Sequence, residues 1–139
     1  MFGKPTLLEK RFRLNIGEIQ FVGKIDRIDE TEAGLEIVDY KTGQSADQKS
    51  VDKDKQLSIY GLAAKAAFGL SINTMSLYFI EENLKITTKR SNEDYQREME
   101  YLKKMIDKIK TSDFPAKPGY PFPCKFCEYN QICPFAKKN

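Results

Sequence analysis

Two short segments restrict what this chain can fold into more than anything else in it: Gly23-Lys24-Ile25-Asp26-Arg27-Ile28-Asp29 and Ile37-Val38-Asp39-Tyr40-Lys41-Thr42. In each, β-branched and aromatic residues alternate with polar ones, the pattern of a strand. The intervening Glu30-Thr31-Glu32-Ala33-Gly34 is polar and carries a glycine, as a connection between adjacent antiparallel strands requires. Pairing the two strands brings Asp26 close to Asp39. Residues two apart on a strand share a face, so Asp39 and Lys41 project together. Leu35, Ile37 and Val38 read as half-buried or buried, and Asp39 and Lys41 follow them directly, without a turn residue. A charged pair at the end of an apolar strand needs a partner or a metal.

That grouping has a chemistry. Two carboxylates converging at strand ends can hold a hard divalent cation such as Mg²⁺. A neighbouring lysine can orient or deprotonate a water, or neutralise charge developing on a phosphate. The outline is that of a metal-dependent phosphodiesterase. Any single Asp or Lys at a strand end is more often a solvated terminus; it is the uninterrupted run that favours a site here.

Gly-x-Ile-Asp-Arg-Ile-Asp, then Ile-Val-Asp-Tyr-Lys-Thr-Gly, then Gln56-x-x-x-Tyr60 resembles the PD-(D/E)XK nuclease superfamily, in its RecB-like branch. That branch includes the nuclease domains of RecB and AddB and the CRISPR-associated exonucleases. The wording Asp39-Tyr40-Lys41-Thr42-Gly43 followed by Gln56-Leu57-Ser58-Ile59-Tyr60 is most like nuclease domains at the C-terminus of UvrD/Rep-type helicases, and the likeness runs from Leu8 to the end. The resemblance implies an α/β restriction-endonuclease-like fold, a mixed, mostly antiparallel sheet flanked by helices. It implies a Mg²⁺-dependent, exonuclease-like deoxyribonuclease acting in DNA repair or recombination, with a fused or separate helicase as partner. Asp26 and Asp39, with the Tyr40 carbonyl, would ligate Mg²⁺ or Mn²⁺. Lys41 would position or activate the attacking water. On spacing alone Tyr60 belongs in the core and Gln56 in solvent; the resemblance instead places both at the border of the metal site, against the DNA backbone. Glu9 is a further acidic candidate, because RecB-like nucleases often carry an acid just before the first core strand.

In chain order, 1–7 reads as a lead without periodicity, in which Pro5 discourages a helix. Phe12, Leu14 and Ile16 alternate with Arg11, Arg13 and Asn15 in a first strand with a basic outer face. Gly17-Glu18 turns it into a second strand, 19–28, and a third covers 35–41. Residues 43–54 read as a polar, mobile loop, either an ordinary surface connection or a substrate-facing lid; if it faces DNA, Lys49, Lys53 and the adjoining Lys55 would meet phosphates. A helix over 52–68, capped by Gly69, buries Leu57, Tyr60, Ala64, Ala67 and Phe68. Strands follow at 72–80 and 84–89, joined by a turn at 81–83. A long helix opening at Ser91 or Asn92 then carries an apolar stripe of Tyr95, Met99, Leu102, Ile106 and Ile109.

A chain of 139 residues is long enough to bury one proper core. Its 40% hydrophobic and 31% charged residues are those of an ordinary globular protein, and a charge of +3 does not by itself signal nucleic-acid binding. No apolar run approaches the roughly 20 residues that span a bilayer, and no signal-peptide pattern opens the chain, so a cytoplasmic location without membrane contact is expected. The absence of histidine excludes a His-based triad or a His-liganded zinc within this sequence.

Beyond Phe114 the composition changes. Five of the six prolines fall between Pro115 and Pro134, around Cys124-x-x-Cys127-x5-Cys133-Pro134. The spacing suits a soft metal, but a closed zinc or cubane site takes four ligands and three cysteines are present. The same resemblance implies that Cys124, Cys127 and Cys133 hold a [4Fe–4S] cluster together with an upstream cysteine. Family members also carry an N-terminal helical segment with a metal-binding histidine. Without that histidine and that cysteine, this sequence reads as the C-terminal piece of a longer polypeptide. Its expected layout is a nuclease core over 1–114 and a Pro/Cys-rich tail of the same domain over 115–139. The competing reading is a non-catalytic DNA-binding or scaffolding module that keeps the fold.

Overall fold

A computed structural model of the chain describes residues 2–115, 117–118 and 124–137. The alternation of Phe12, Leu14 and Ile16 with Arg11, Arg13 and Asn15 builds the inner and outer faces of β1 (Lys4–Ile16). Gly17, at φ 60°, opens a two-residue connection to β2 (Ile19–Thr31), a backbone state that glycine adopts without strain. A second short connection leads to β3 (Gly34–Lys41), where the Thr31 hydroxyl donates to the Gly34 carbonyl at 2.7 Å. The chain then passes through α1 (Gln48–Asp52) and α2 (Lys55–Phe68) to β4 (Ile72–Phe79), which runs parallel to β3. β5 (Leu84–Thr88) returns antiparallel, and α3 (Asn92–Thr111) follows. The sheet order is β1-β2-β3-β4-β5, with every pair but β3–β4 antiparallel. This is the mixed, mostly antiparallel sheet with flanking helices of a restriction-endonuclease-like α/β fold, as expected.

Ile25, Ile28, Ile37, Met75 and Leu77 of the sheet meet Leu57, Tyr60, Ala63 and Ala64 of α2 in the core. Asp54 caps α2, its Oδ1 accepting the Leu57 N–H at 2.8 Å. Gly69, at φ 69°, ends it, with Gly69 N–H bonded to the Lys65 carbonyl and Leu70 N–H to Ala64. At the start of α3, Ser91 and Asp94 exchange side-chain-to-backbone hydrogen bonds in a capping box. Close contacts divide the chain into units spanning Met1–Asp107 and Lys108–Asn139.

Several expectations need correction. The supposed lead is strand: Lys4 pairs with Glu30 and Pro5 with Asp29, and proline is tolerated because β1 is an edge strand. The supposed loop over 43–54 contains α1, capped by Asp47 and docked through Val51, which is 0% exposed. α2 begins at Lys55, not at 52, because Asp54 takes the extended backbone of an N-cap. Ala67 is exposed and Phe68 only half-buried, so the buried stripe of α2 stops at Ala64. Ile109 is exposed as well, leaving Leu102 as the buried member of the α3 stripe. In the tail, Cys124–Phe126 forms a 3₁₀ turn. The rest of the tail expectation falls partly on residues 116, 119–123 and 138–139, outside the described residues.

Candidate active site

The C-terminal end of β3 emerges beside the first turn of α2. On β3, Ile37, Asp39 and Lys41 share the face that α2 covers. Asp39 is 3% exposed, and its Oδ2 lies 2.7 Å from Lys41 Nζ as an ion pair outside hydrogen-bonding geometry. Lys41 Nζ donates to Gln56 Oε1 at 2.6 Å, and Gln56 Nε2 donates to the Tyr60 hydroxyl at 2.6 Å. A lysine can only donate, so the Gln56 amide must present its oxygen to Lys41 and its nitrogen to Tyr60. The four-residue spacing of Gln56 and Tyr60 on α2 puts both in one line with Lys41. The Phe12 ring meets Tyr60 edge-on, with centroids 5.8 Å apart.

Asp26 enters from β2 at an irregularity. The β1–β2 ladder pairs Leu8 with Arg27 and Lys10 with Ile25, stepping over Glu9 and Asp26. Ile25 and Ile28 are both buried, so the inward-outward alternation shifts between them, as at a bulge. The β2–β3 register starts at Arg27 with Val38, and beyond it Asp26 Oδ2 accepts the Tyr40 N–H at 3.1 Å. The carboxylate thereby takes a backbone donor at the point where the ladder stops.

The charges are unevenly balanced. Burial pushes the Asp39 carboxyl above its ordinary pKa; Lys41 opposes this, while the nearby Asp26 and Asp54 carboxylates reinforce it. Burial works against the charged form of Lys41, but its contact with Asp39 outweighs that and holds its pKa above the ordinary lysine value. Burial likewise keeps the Tyr60 hydroxyl protonated above its usual range.

The opposite face of β3 braces the same strand. The Tyr40 hydroxyl accepts from Arg27 Nη1 at 3.4 Å, and Arg27 Nε is held by the fully buried Asp29 at 2.6 Å. The Tyr40 ring also packs edge-on against Tyr78 at 5.8 Å. Neither this brace nor the reach of Asp54 toward Asp39 was anticipated from sequence. Its signals were present: Arg27 and Asp29 are two apart on one strand, and Asp54 is the cap residue two before Gln56.

Asp26, Asp39, Lys41, Gln56, Tyr60 and the Tyr40 backbone thus meet at one end of the sheet. Glu9 does not join them: it takes φ 49° and its exposed carboxylate pairs with Lys24 Nζ at 2.9 Å. In the tail, the Cys127 N–H bonds the Cys124 carbonyl at 3.0 Å, and Cys124, Cys127 and Cys133 are free thiols. Among the described residues, no three His, Cys, Asp or Glu side chains form a metal-binding group. A hard cation nevertheless fits the donors at the sheet end. Asp39 Oδ2 is enclosed beside the Asp26 carboxylate, whose charge it repels, and is countered by Lys41 Nζ 2.7 Å away. The further ligands would have to be the Tyr40 carbonyl and water.

The fold and this acid–acid–lysine end define a protein of the restriction-endonuclease-like class. A family model of the PD-(D/E)XK nuclease superfamily matches residues 2–134, and the chain belongs to that superfamily. It is similar to the Gene 69 protein of Mycobacterium phage L5, with 29% identity over 140 residues that cover 96% of this chain and 46% of that protein. The chain therefore spans less than half the length of that relative. The crystal structure of SSO0001 is similar at 18% identity and a TM-score of 0.45, over 95% of this chain and 61% of that one. Among the described residues, no helix is long and apolar enough to cross a membrane.

Proposed function

We propose that this chain is the nuclease domain of a DNA-processing protein and hydrolyses phosphodiester bonds with Mg²⁺ or Mn²⁺. The observation that carries the reading is the continuous line Asp39–Lys41–Gln56–Tyr60, closed from β2 by Asp26. Asp26, Asp39 and the Tyr40 carbonyl would hold the cation, which when bound supplies charge stabilisation at the scissile phosphate and a more acidic water. Lys41, held protonated by Asp39, orients the attacking water and offsets charge growing on the phosphate. Gln56 fixes the Lys41 ammonium, and Tyr60 fixes Gln56. The test is cleavage of labelled DNA by the purified protein with and without EDTA, in wild type, Asp39→Ala and Lys41→Ala. Each substitution should lower the rate on the order of a thousandfold. Unchanged cleavage by a folded Asp39→Ala protein would overturn the assignment.

The finer reading is a RecB-like, exonuclease-type domain that works with a helicase in repair or recombination, with its core over 1–114 and a cysteine-bearing tail over 115–139. It rests on the motif wording and on the three tail cysteines. Cys124, Cys127 and Cys133 supply three of the four thiolates of a [4Fe–4S] site, so the fourth would come from a longer parent polypeptide. Anaerobic reconstitution of both forms with iron and sulfide tests this: a cluster is expected in the parent alone. Zinc in the parent, or a stable four-iron cluster in this monomeric chain, would overturn it.

A further inference from the structure

The β2–β3 ladder stops one step short of the carboxylates. Its last pair is Arg27 with Val38, so Asp26 and Asp39, the next residue on each strand, lie beyond the backbone bonds that join the two strands. Like charges at adjoining strand ends repel. Tyr40, between Asp39 and Lys41, spans that gap. Its N–H is held by Asp26 Oδ2 at 3.1 Å, while its side chain passes to the opposite face of the sheet. There Arg27 serves three acceptors: Nη1 donates to the Tyr40 hydroxyl at 3.4 Å, Nε to Asp29 Oδ1 at 2.6 Å and Nη2 to the Gly3 carbonyl at 3.3 Å. Phe2 closes the cluster. Its ring centroid lies 4.9 Å from Arg27 Cζ, 4.9 Å from the Tyr78 ring, which it meets edge-on, and 6.3 Å from the Tyr40 ring. Gly3 lets the chain lie that close to β2, because a Cβ there would run into the Glu30 carbonyl oxygen and lie 2.9 Å from Thr31 Cγ2.

We propose that Arg27 is a positioning residue for the divalent cation: gripping Tyr40 from behind the sheet, it fixes the separation at which Asp26 and Asp39 are presented. The residue type fits the task. Asp29, at 0% exposure, needs a cationic partner, and a lysine would supply that charge. Only a guanidinium is a rigid fork that also reaches the Tyr40 hydroxyl and the Gly3 carbonyl. Carboxylates that hold a metal depend on such supports, and losing one costs about tenfold to a hundredfold in metal affinity. The inference rests on the cation reading of the site and extends it to residues on the far face of the sheet.

The experiment is a Mn²⁺ titration of the full chain, read from the EPR signal of free Mn²⁺, which binding depletes. It compares wild type, Arg27→Lys, Tyr40→Phe and the double variant, with Asp39→Asn fixing the background from cations held elsewhere and a thermal melt in EDTA showing that each is folded. Arg27→Lys should weaken the Asp39-dependent binding about tenfold or more. Tyr40→Phe keeps the Arg27–Asp29 pair and should weaken binding in the same direction. The double variant should lose no more than Arg27→Lys alone, because both changes act through one contact. A purely structural Arg27 would lower the melt in EDTA and leave the Mn²⁺ affinity unchanged. Wild-type affinity in folded Arg27→Lys or Tyr40→Phe, or losses that simply add, overturns the inference and leaves the cation site in place. If Arg27→Lys does not fold, Tyr40→Phe decides alone. No Asp39-dependent Mn²⁺ binding in the wild type overturns both.

Discussion

Asp39 keeps a carboxylate where water scarcely reaches, and the sign of its titration is a direct probe of the site. Its folded-state pKa is raised, first by burial and further by Asp26 and Asp54. Between the ordinary carboxylate pKa and this raised value, the folded chain holds a proton that the unfolded chain has released. Stability without metal should therefore fall as pH rises through that window. Asp39→Asn should remove that part of the slope and melt higher than wild type near neutral pH in EDTA; thermal melts across a pH series measure both, and an unchanged slope would count against the buried charge. Lys41, Gln56 and Tyr60 predict a graded kinetic series. Gln56→Leu removes an acceptor from Lys41 but leaves Asp39 in place, so the rate should drop by about tenfold to a hundredfold, less than for Lys41→Ala. Tyr60→Phe removes a contact one step further out and should cost about tenfold or less. The ordering Lys41, Gln56, Tyr60 in kcat is the outcome to check; equal losses at all three would mean that the line does not act through Lys41.

At the scale of elements, α2 is clasped between the sheet and α3, and Gly61 marks how tightly. A Cβ added at Gly61 would run into Tyr95 Oη and Met75 Cε and lie 2.8 Å from Tyr95 Cε1. Alanine favours a helix by about 1 kcal/mol over glycine, but overpacking costs about 1–3 kcal/mol, so Gly61→Ala should be neutral to destabilising, never stabilising. A denaturation midpoint measured for Gly61→Ala and for Gly61→Ala/Tyr95→Phe should show partial recovery in the second. The same packing explains what was legible in the sequence. Strands with strict alternation, such as Phe12-Arg13-Leu14-Asn15-Ile16, announced themselves, and Gly69 announced the end of α2. α1 did not, because five residues with one buried apolar side chain, Val51, have no period to detect. The N-terminal part of β1 was missed because Pro5 and Lys4 look like a lead, and only their pairing with Asp29 and Glu30 makes them strand. Ala67 and Ile109 were misplaced for the opposite reason: helical periodicity continues past the surface that a neighbour covers. The motif wording singled out Asp26, Asp39, Lys41, Gln56 and Tyr60, and the fold brings these residues to one end of the sheet. The bulge that turns Asp26 inward and the Arg27–Asp29 brace behind Tyr40 depend on register and faces, which no motif spells out.

Across the whole molecule, cation binding and folding should be linked through the carboxylates at the end of the sheet. A ligand that binds only the folded chain stabilises it by about 2.7 kcal/mol at a hundred times its dissociation constant. With two carboxylates and one backbone carbonyl as the proposed protein ligands, affinity should be modest, and the effect should emerge only as Mg²⁺ or Mn²⁺ is raised well above that constant. Each kcal/mol moves the melting temperature of a domain this size by several degrees, so the rise is measurable. The linkage has a pH signature opposite to that of the chain without metal. Metal competes with the proton on Asp39, so the stabilisation by Mg²⁺ or Mn²⁺ should grow as pH climbs through the raised carboxylate range, where stability in EDTA falls. Asp39→Asn should lose both dependences together while remaining folded. Thermal melts of wild type and Asp39→Asn over a grid of pH and metal concentration separate this from non-specific ion effects, which both proteins would share equally. A metal-induced rise that persists undiminished in Asp39→Asn would place the cation elsewhere on the molecule.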